Sequence, residues 1–320
     1  FVVSSCEVCV DMYWWFAAWF PWPFADRLAV IPESETKIDN VSPYDTPESW
    51  APDGMQAGLH LLNPARVAYF NDSLFLADRH LRVLDIGCGG GLVSNAMARM
   101  PGYELYGLDM SKPALQYARQ TATKENITNV HFTQGSLYEL PFSDETFDAV
   151  VISDVLEHVH DLPRGLKEAA RVLRPGGRFV FDTIDRTLAS FVVAIVGAEW
   201  IVRILPRGTH DWRMFIKPEE LEEGLRRAGF VDFLHKAFDP SFKALAELTL
   251  FKMGLLEAER MSGGFTVAEP SSLFSVSYIG AARKGILNRP VETLVSDEVC
   301  AAKGSVEGEG GCVERERTTP

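Results

Sequence analysis

The 320-residue chain is poor in cysteine and in basic charge. Its five cysteines show no paired spacing in the central part of the sequence, which argues against a disulfide framework and for a reducing compartment. The 31 lysine and arginine residues are outnumbered by 44 acidic residues, and the net charge is −13. A nucleic-acid partner requires a basic surface, so we expect no nucleic-acid binding.

The amino-terminal part lacks an apolar run long enough to span a bilayer. Residues 12–24 (MYWWFAAWFPWPF) are apolar but too few, and Pro21 and Pro23 would break a helix. Neither a signal peptide nor a transit peptide is clear. We interpret residues 1–57 as an aromatic-rich, fragmentary start and a linker that is poorly ordered. An aromatic interfacial anchor is the alternative for residues 12–24.

Apolar runs and helical patterns alternate from residue 58 onward. Strands are predicted over residues 82–86, 104–109, 130–134, 147–153, 177–183, 231–237 and 273–283, and helices over 58–76, 92–100, 113–123, 162–172 and 219–228. This alternation predicts an α/β fold with a doubly wound, mostly parallel, seven-stranded sheet. The domain covers residues 58–285, with a helical insertion over 186–217 after the fifth strand. Residues 286–320 hold few large apolar groups and are expected to be disordered.

A glycine-rich loop follows the first predicted strand. It reads DIGCGGG over residues 85–91, so Gly87 and Gly89 let the backbone pass close to a ligand and turn N–H groups toward it. Asp109 ends the second predicted strand. A carboxylate at that position can accept hydrogen bonds from both hydroxyls of a ribose.

Two classes of cofactor use such a layout. A dinucleotide fingerprint has glycine or alanine at its last position, where this chain has Leu92. The charge of Asp85 would repel a pyrophosphate, whereas it suits a cationic ligand with a free amine, such as S-adenosylmethionine. We therefore predict a methyltransferase, with a nicotinamide oxidoreductase as the rival from a different class.

Two further segments resemble class I S-adenosylmethionine-dependent methyltransferases: residues 140–148 (LPFSDETFD) and 173–177 (LRPGG). Three others resemble one family, the O-methyltransferases of ubiquinone synthesis, which methylate polyprenyl dihydroxybenzoates and demethylubiquinol. These are residues 63–66 (NPAR), 154–159 (DVLEHV) and most of the run from 185 to 218. The resemblance covers about residues 58–285, and the amino-terminal part around Ser49–Pro52 departs from the family's pattern.

This resemblance implies that Arg66, Gly87, Asp109 and Ser153 contact the cofactor. Arg66 could pair with the carboxylate of S-adenosylmethionine as a bidentate donor, and a solvated arginine on a helix face is the alternative. Ser136 is expected near the adenine, at a position where many relatives in the superfamily have an acid.

Asp154, Glu157 and His158 are spaced to share one face of a helical turn. Two carboxylates and an imidazole suit Mg²⁺, and the resemblance implies that a divalent metal binds there, holds a catechol and acidifies its hydroxyl. The alternative is that His158 is itself the base, or that it only hydrogen-bonds the loop. His210, with Asp211 next to it, is a second candidate base.

The insertion contains an apolar stretch over residues 188–205. Five basic residues surround it in an otherwise acidic protein, namely Arg186, Arg203, Arg207, Arg213 and Lys217. This pattern predicts contact of residues 186–217 with an anionic lipid surface, and a buried helical lid is the alternative.

From these features we predict a peripheral membrane enzyme that methylates a polyprenylated phenolic substrate. It would lie on the matrix side of the mitochondrial inner membrane in a eukaryote and in the cytoplasm in a bacterium, with a quinone-synthesis complex as a candidate partner. The rivals are an O-methyltransferase for another lipid or secondary metabolite and a catalytically idle scaffold subunit.

Overall fold

The computed structural model of the chain describes residues 27–32, 46–74, 80–203, 205–262, 264–269 and 275–286. The apolar segment over residues 12–24 lies outside these ranges, as does the predicted tail except for its first residue. Within the described ranges, no helix combines the length and the apolar character that crossing a membrane would require.

Strands and helices alternate through the first half of the domain. They are α1 Ala57–Leu74, β1 Leu81–Ile86, α2 Leu92–Ala98, β2 Tyr103–Asp109, α3 Lys112–Lys124, β3 Val130–Gln134, β4 Phe147–Ser153, α4 Leu162–Val172 and β5 Leu173–Ile184. Two short 3₁₀ turns belong to the same half. One, Pro47–Trp50, precedes α1, and the other, Leu156–His158, follows β4.

The insertion follows β5. It begins with one turn of α-helix, α5 Leu188–Ser190, which continues as a π-helix over Phe191–Ile201, and it returns through the 3₁₀ turn Trp212–Met214. The chain then forms α6 Pro218–Arg227, β6 Phe230–Pro240, α7 Phe242–Lys252, β7 Phe265–Ala268 and β8 Ser277–Lys284.

The described strands form one sheet in the order β3-β2-β1-β4-β5-β8-β6-β7. The pairs among β1 to β5 are parallel, and β8 joins β5 and β6 in antiparallel pairing. The chain leaves β1 toward β2 and later returns to its other side at β4, so a crevice opens between the carboxyl ends of β1 and β4. This arrangement confirms the predicted doubly wound fold.

The sheet has one strand more than the seven predicted. The additional strand is β7, which pairs with β6 over only four residues. Four residues are too few for alternation to indicate a strand, and the pairing itself makes them one. Helix α7 was also not predicted, because its sequence (FKALAELTLFK) has no clear polar face.

The central strands are buried on both faces, as expected for a parallel sheet covered by helices. Leu84 of β1 belongs to the core layer beneath α4 and α6, whereas its neighbour Val83 belongs to the layer beneath α1 and α2. Alternate residues of one strand therefore hold both helical layers in place. The carboxyl ends of the strands remain uncovered by these layers, which leaves room for a site.

Because β8 is closely packed, adding a single methyl group at Gly280 should lower the free energy of unfolding. A Cβ atom added at Gly280 would lie 2.5 Å from the carbonyl oxygen of Leu234 and 2.5 Å from Cζ of Phe181. Because the first of these atoms is backbone, Gly280→Ala should destabilise the protein by about 1–3 kcal/mol, measured by urea denaturation. The matched control is Gly58→Ala, whose nearest neighbour would be 3.9 Å away. A wild-type urea midpoint for Gly280→Ala would contradict this packing.

Candidate active site

A cavity of about 860 Å³ lies at the carboxyl ends of β1, β2 and β4. Polar side chains gather at the strand ends, and later elements supply apolar walls. The π-helix, α7 and β7 contribute Val192, Val193, Ala194, Leu245, Leu248 and Phe265. The cavity thus joins the glycine loop to an apolar compartment that the local sequence pattern did not indicate.

The glycine loop follows β1 directly. Gly87 and Gly89 both have positive φ, 74° and 50°, which side chains rarely adopt. A Cβ at Gly87 would also lie 2.3 Å from Cγ2 of Val155, so the loop approaches the segment after β4 too closely for any other residue. These contacts explain why the chain needs glycine at both positions.

The indole of Trp50 covers this loop. A Cβ added at Gly89 would lie 2.1 Å from Cη2 of Trp50, and one added at Gly90 would lie 2.6 Å from its ring. The carbonyl oxygen of Trp50 lies 3.0 Å from Nε2 of His60 in α1. Trp50 stands in the segment that the sequence assigned to a linker, and no local pattern indicated its contact with the loop.

Asp109 ends β2 with its carboxylate held by two backbone donors. The N–H of Gly89 donates to Oδ2 and the N–H of Ser111 donates to Oδ1, each at 2.8 Å. The carboxylate fixed in this way lines the cavity. Ser136, predicted near the adenine, lines the same cavity, and its Oγ accepts the N–H of Tyr138 at 3.2 Å.

Asp85 lines the cavity from the end of β1 and is almost completely buried. The hydroxyl of Ser94 donates to its Oδ2 at 2.5 Å. Burial raises the pKa of the Asp85 carboxyl to about 6, and the Ser94 hydrogen bond opposes this rise. A cation bound beside Asp85 would favour the charged carboxylate.

Arg66 of α1 joins the ends of β4 and β5. Its Nη2 donates to Asp154 and, at 2.7 Å, to Oδ2 of Asp182. The hydroxyl of Ser153 donates to the other oxygen of Asp182, also at 2.7 Å. Asp182 was missed by sequence reasoning, although an acid within the buried run of β5 is a detectable signal.

The donors of Arg66 are only partly used. Its Nε is buried, and no group among the described residues accepts a hydrogen bond from it. Arg66 also lines the cavity. A ligand carboxylate would satisfy this donor. The guanidinium of Arg66 and the carboxylates of Asp85 and Asp109 together fit a ligand that carries a carboxylate, an amine and a ribose, as S-adenosylmethionine does.

In this arrangement the three predicted metal ligands do not form a group that could hold a metal ion. Asp154 has a φ of 50°, so the three residues do not share one helical face, and its carboxylate binds Arg66. Glu157 accepts a hydrogen bond from Thr183 at 2.7 Å instead. Among the described residues, no three His, Cys, Asp or Glu side chains are grouped so that they could hold a metal ion. Each predicted ligand faces a different partner.

Burial dominates the electrostatics around the turn after β4. It raises the pKa of the Glu157 carboxyl to about 8, with the charge of Asp154 adding to the rise. It lowers the pKa of the His158 imidazole to about 3, with His210 adding to the fall. His158 is therefore a neutral imidazole at physiological pH.

The two predicted bases lie together. The rings of His158 and His210 are stacked with their centroids 5.5 Å apart. Nδ1 of His210 lies 2.9 Å from Oε1 of the fully buried Glu199, which is its acidic partner. The neighbouring Asp211 instead binds Arg213 at 2.6 Å. Adjacency in sequence thus suggested the wrong carboxylate.

The insertion is partly a buried lid and partly exposed. Ala194 and Glu199 are buried, whereas Leu188 and Ile201 are about three-quarters exposed, at 73% and 72%. Among the basic residues predicted to face lipid, Arg186 is buried and pairs with Glu220, so it does not reach a membrane surface. Arg203 and Arg207 are exposed.

The chain is similar to several known methyltransferases. Residues 84–181 match a family model described as a methyltransferase domain. The ubiquinone biosynthesis O-methyltransferase of Alkalilimnicola ehrlichii is 43% identical over 194 residues, which are 60% of this chain and 77% of that protein. That of Azorhizobium caulinodans is 40% identical over 203 residues, covering 60% and 79%.

A solved structure of similar fold is the phosphoethanolamine N-methyltransferase 2 of Haemonchus contortus in complex with S-adenosyl-L-methionine. It is 17% identical, covers 78% of this chain and 60% of that one, and has a TM-score of 0.54. The fold and the matched domain define a class I S-adenosylmethionine-dependent methyltransferase. The chain belongs to the family of ubiquinone biosynthesis O-methyltransferases.

The geometry of Asp109 predicts its contribution to cofactor affinity. Asp109→Ala removes a carboxylate that two N–H groups hold toward the cavity, and it should weaken S-adenosylmethionine binding by about 1.5–3 kcal/mol in calorimetry. The control is Asp144→Ala, which removes a largely exposed acid that does not line the cavity. Unchanged affinity in a folded Asp109→Ala protein would remove this residue from the site.

Proposed function

We propose that the protein methylates a phenolic hydroxyl of a polyprenylated ubiquinone precursor. The observation that supports this function is the continuity of the cavity. Gly87 and Asp109, the imidazoles of His158 and His210, and apolar residues such as Leu245 all line this one cavity. A cofactor at the strand ends and an aromatic ring with an apolar tail would therefore share a space into which the imidazoles also reach.

Cofactor binding is assigned to the residues at the strand ends. The carboxylate of Asp109, oriented by two N–H groups, would accept the ribose hydroxyls. Asp85 would face the cationic amine, and Nε of Arg66 would donate to the carboxylate. Gly87 and Gly89 would allow the close approach of the ligand. Ser136 and Ser153 would complete the adenine and methionyl ends of this site.

When bound, S-adenosylmethionine supplies an electrophilic methyl group that leaves its sulfur in a direct in-line displacement. A phenol is a weak nucleophile until its hydroxyl proton is removed. We assign His158 as the base, because its imidazole is neutral and lines the cavity. The negative charge that develops on the phenol oxygen would offset the burial that lowers the pKa of the His158 ring, and Glu199 would hold His210 in place beside it.

No step of this mechanism passes through a metal. Asp154, Glu157 and His158 would all have to leave their present partners and turn toward one point. For Asp154, that change would separate its carboxylate from the guanidinium of Arg66. Asp154 is partly exposed, but Arg66 is buried and would lose one of its two acidic partners. Deprotonation is therefore assigned to the imidazole alone.

A transfer assay with labelled cofactor and a panel of phenols tests this function. The wild-type protein should place one labelled methyl group on a hydroxyl oxygen of a prenylated catechol, as identified by mass spectrometry. His158→Ala should lower kcat by about 10²–10⁴-fold, the usual contribution of a general base, while S-adenosylmethionine binds as before. His80→Ala, a histidine that precedes β1, is the control.

Three outcomes would contradict the proposal or its mechanism. Methylation of an unrelated lipid or secondary metabolite, with no product from any catechol, would reassign the substrate. A protein that binds S-adenosylmethionine and methylates nothing in the panel would support the idle scaffold. A wild-type kcat for His158→Ala would remove His158 from the mechanism and leave His210 as the base.

We also propose that the mouth of the cavity rests on a lipid surface. Phe242 and Met253, at the two ends of α7, are 93% and 64% exposed. In the insertion, the apolar side chains of Leu188 and Ile201 are also exposed. Arg203 and Arg207 follow closely after Ile201 in the sequence and are exposed. An interfacial position would let a polyprenyl tail stay in lipid while the ring enters the cavity. Membership of a quinone-synthesis complex and the cellular compartment remain predictions.

Liposome flotation tests the lipid contact. The double variant Arg203→Glu with Arg207→Glu should leave cardiolipin-containing vesicles, because each basic residue contributes roughly 1 kcal/mol on an anionic surface. Arg226→Glu with Arg227→Glu makes the same change of charge on α6 and should float like the wild type. Equal flotation of both double variants would mean that the insertion acts only as a lid.

A further inference from the structure

Arg27 is completely buried. Its hydrogen-bond partners lie more than 100 positions away in the sequence. Its Nε donates to the carbonyl oxygen of Met214 at 2.9 Å. Its Nη2 donates to the carbonyl oxygen of Val159 at 2.6 Å and to that of Leu156 at 3.4 Å. One guanidinium thus connects a segment before α1 with two loops that follow β4 and β5.

These loops carry His158, the proposed base, and His210, whose ring stacks on it. Two of the three acceptors stand at either end of the turn that presents His158. The third acceptor ends the turn that begins two residues after His210. Because the two imidazoles stack on each other, their relative position depends on how these two turns are held together.

An arginine is well suited to fix such a junction. Its donors form a rigid planar fork, so several carbonyl groups bound to one guanidinium have a defined relative geometry. Burial and the charge of Arg186 lower the pKa of Arg27 to about 10, so it stays protonated at neutral pH. Nearby Glu220 and Asp211 favour this charge. A buried cation is costly, and an apolar side chain would fill the same space at lower cost.

The neighbouring residues hold the segment along the same loop. The N–H of Ile31 donates to the carbonyl oxygen of His160 at 3.2 Å. Leu28 packs against the core beneath α4 and α6, close to Gly224. Arg27 and Ile31 therefore both bind the segment from Leu156 to His160, which contains His158.

We infer that Arg27 is a positioning residue for methyl transfer, which locks the turn of His158 to the turn after His210 and so fixes the stacked imidazoles. This inference rests on the proposed role of His158 as the base. Arg27 does not line the cavity, so it acts through the loops that it joins. It belongs to a part of the chain that sequence patterns place outside the catalytic domain.

The test compares Arg27→Met with Arg27→Lys in the full-length protein. Arg27→Met keeps the length of the side chain and removes every donor, and it should lower kcat by about tenfold to a hundredfold, the scale for misplaced catalytic groups. The KM and Kd for S-adenosylmethionine should stay at wild-type values, because the cofactor end of the cavity is untouched. Arg27→Lys, which keeps the charge and one donor group, should recover part of kcat. Arg226→Met on the exposed face of α6 is the control.

A second measurement separates this inference from the function on which it rests. In ¹H–¹⁵N spectra of the imidazoles, Arg27→Met should shift the ring signals of His158 and His210 and leave that of His131 in place. Such shifts with no change in kcat would leave Arg27 a positioning residue for the rings but contradict His158 as the base.

Other results would overturn the inference itself. Unchanged ring signals and kcat in Arg27→Met would show that the junction does not depend on the guanidinium. Equal losses of kcat and of cofactor affinity would show a general structural role. If Arg27→Met does not fold, a wild-type kcat and wild-type ring signals in Arg27→Lys would contradict the need for the forked geometry.

Discussion

The buried contact of Arg66 with Asp154 and Asp182 is the interaction on which the site depends. It ties α1 to the ends of β4 and β5, at the point where the parallel sheet opens into a crevice. Two carboxylates this close would repel each other without a cation between them. Even with Arg66 in place, burial raises the pKa of the Asp182 carboxyl to about 7. The guanidinium of Arg66 therefore links the ends of β4 and β5 beside the cavity. Its Nε has no acceptor among the described residues and remains as a donor for a ligand.

The same balance of charge explains the chemistry that the cavity can support. Buried acids at the strand ends favour a cationic ligand, and burial keeps the imidazole of His158 neutral. Asp85, which lines the cavity, would resist a pyrophosphate for the same reason. The predicted metal ligands are already engaged in the protein's own ion pairs and hydrogen bonds. A sulfonium cofactor beside a neutral imidazole is consistent with all of these features, and the apolar walls fit a prenylated ring.

Segments from distant parts of the chain enclose this centre. Trp50 covers the glycine loop, the π-helix and α7 form the apolar walls, and Arg27 holds the two turns that carry the imidazoles. The parallel sheet itself supplies only the cofactor end. The apolar end of the cavity and the arrangement of the imidazoles thus depend on the additions to the fold. Glu199, in the insertion, contacts His210 and so links the insertion to the site.

Local patterns were enough to predict the alternation of strands and helices from β1 to β5, the glycine loop and the acids Asp85 and Asp109. Each of these follows from local periodicity or from residues that are adjacent in the chain, so a short window contains the whole signal. The partners of Asp154 and His210, the cover by Trp50 and the burial of Arg27 could be seen only in the folded chain. Those contacts join residues between 11 and 187 positions apart, and sequence spacing carries no information about which side chains meet across such separations.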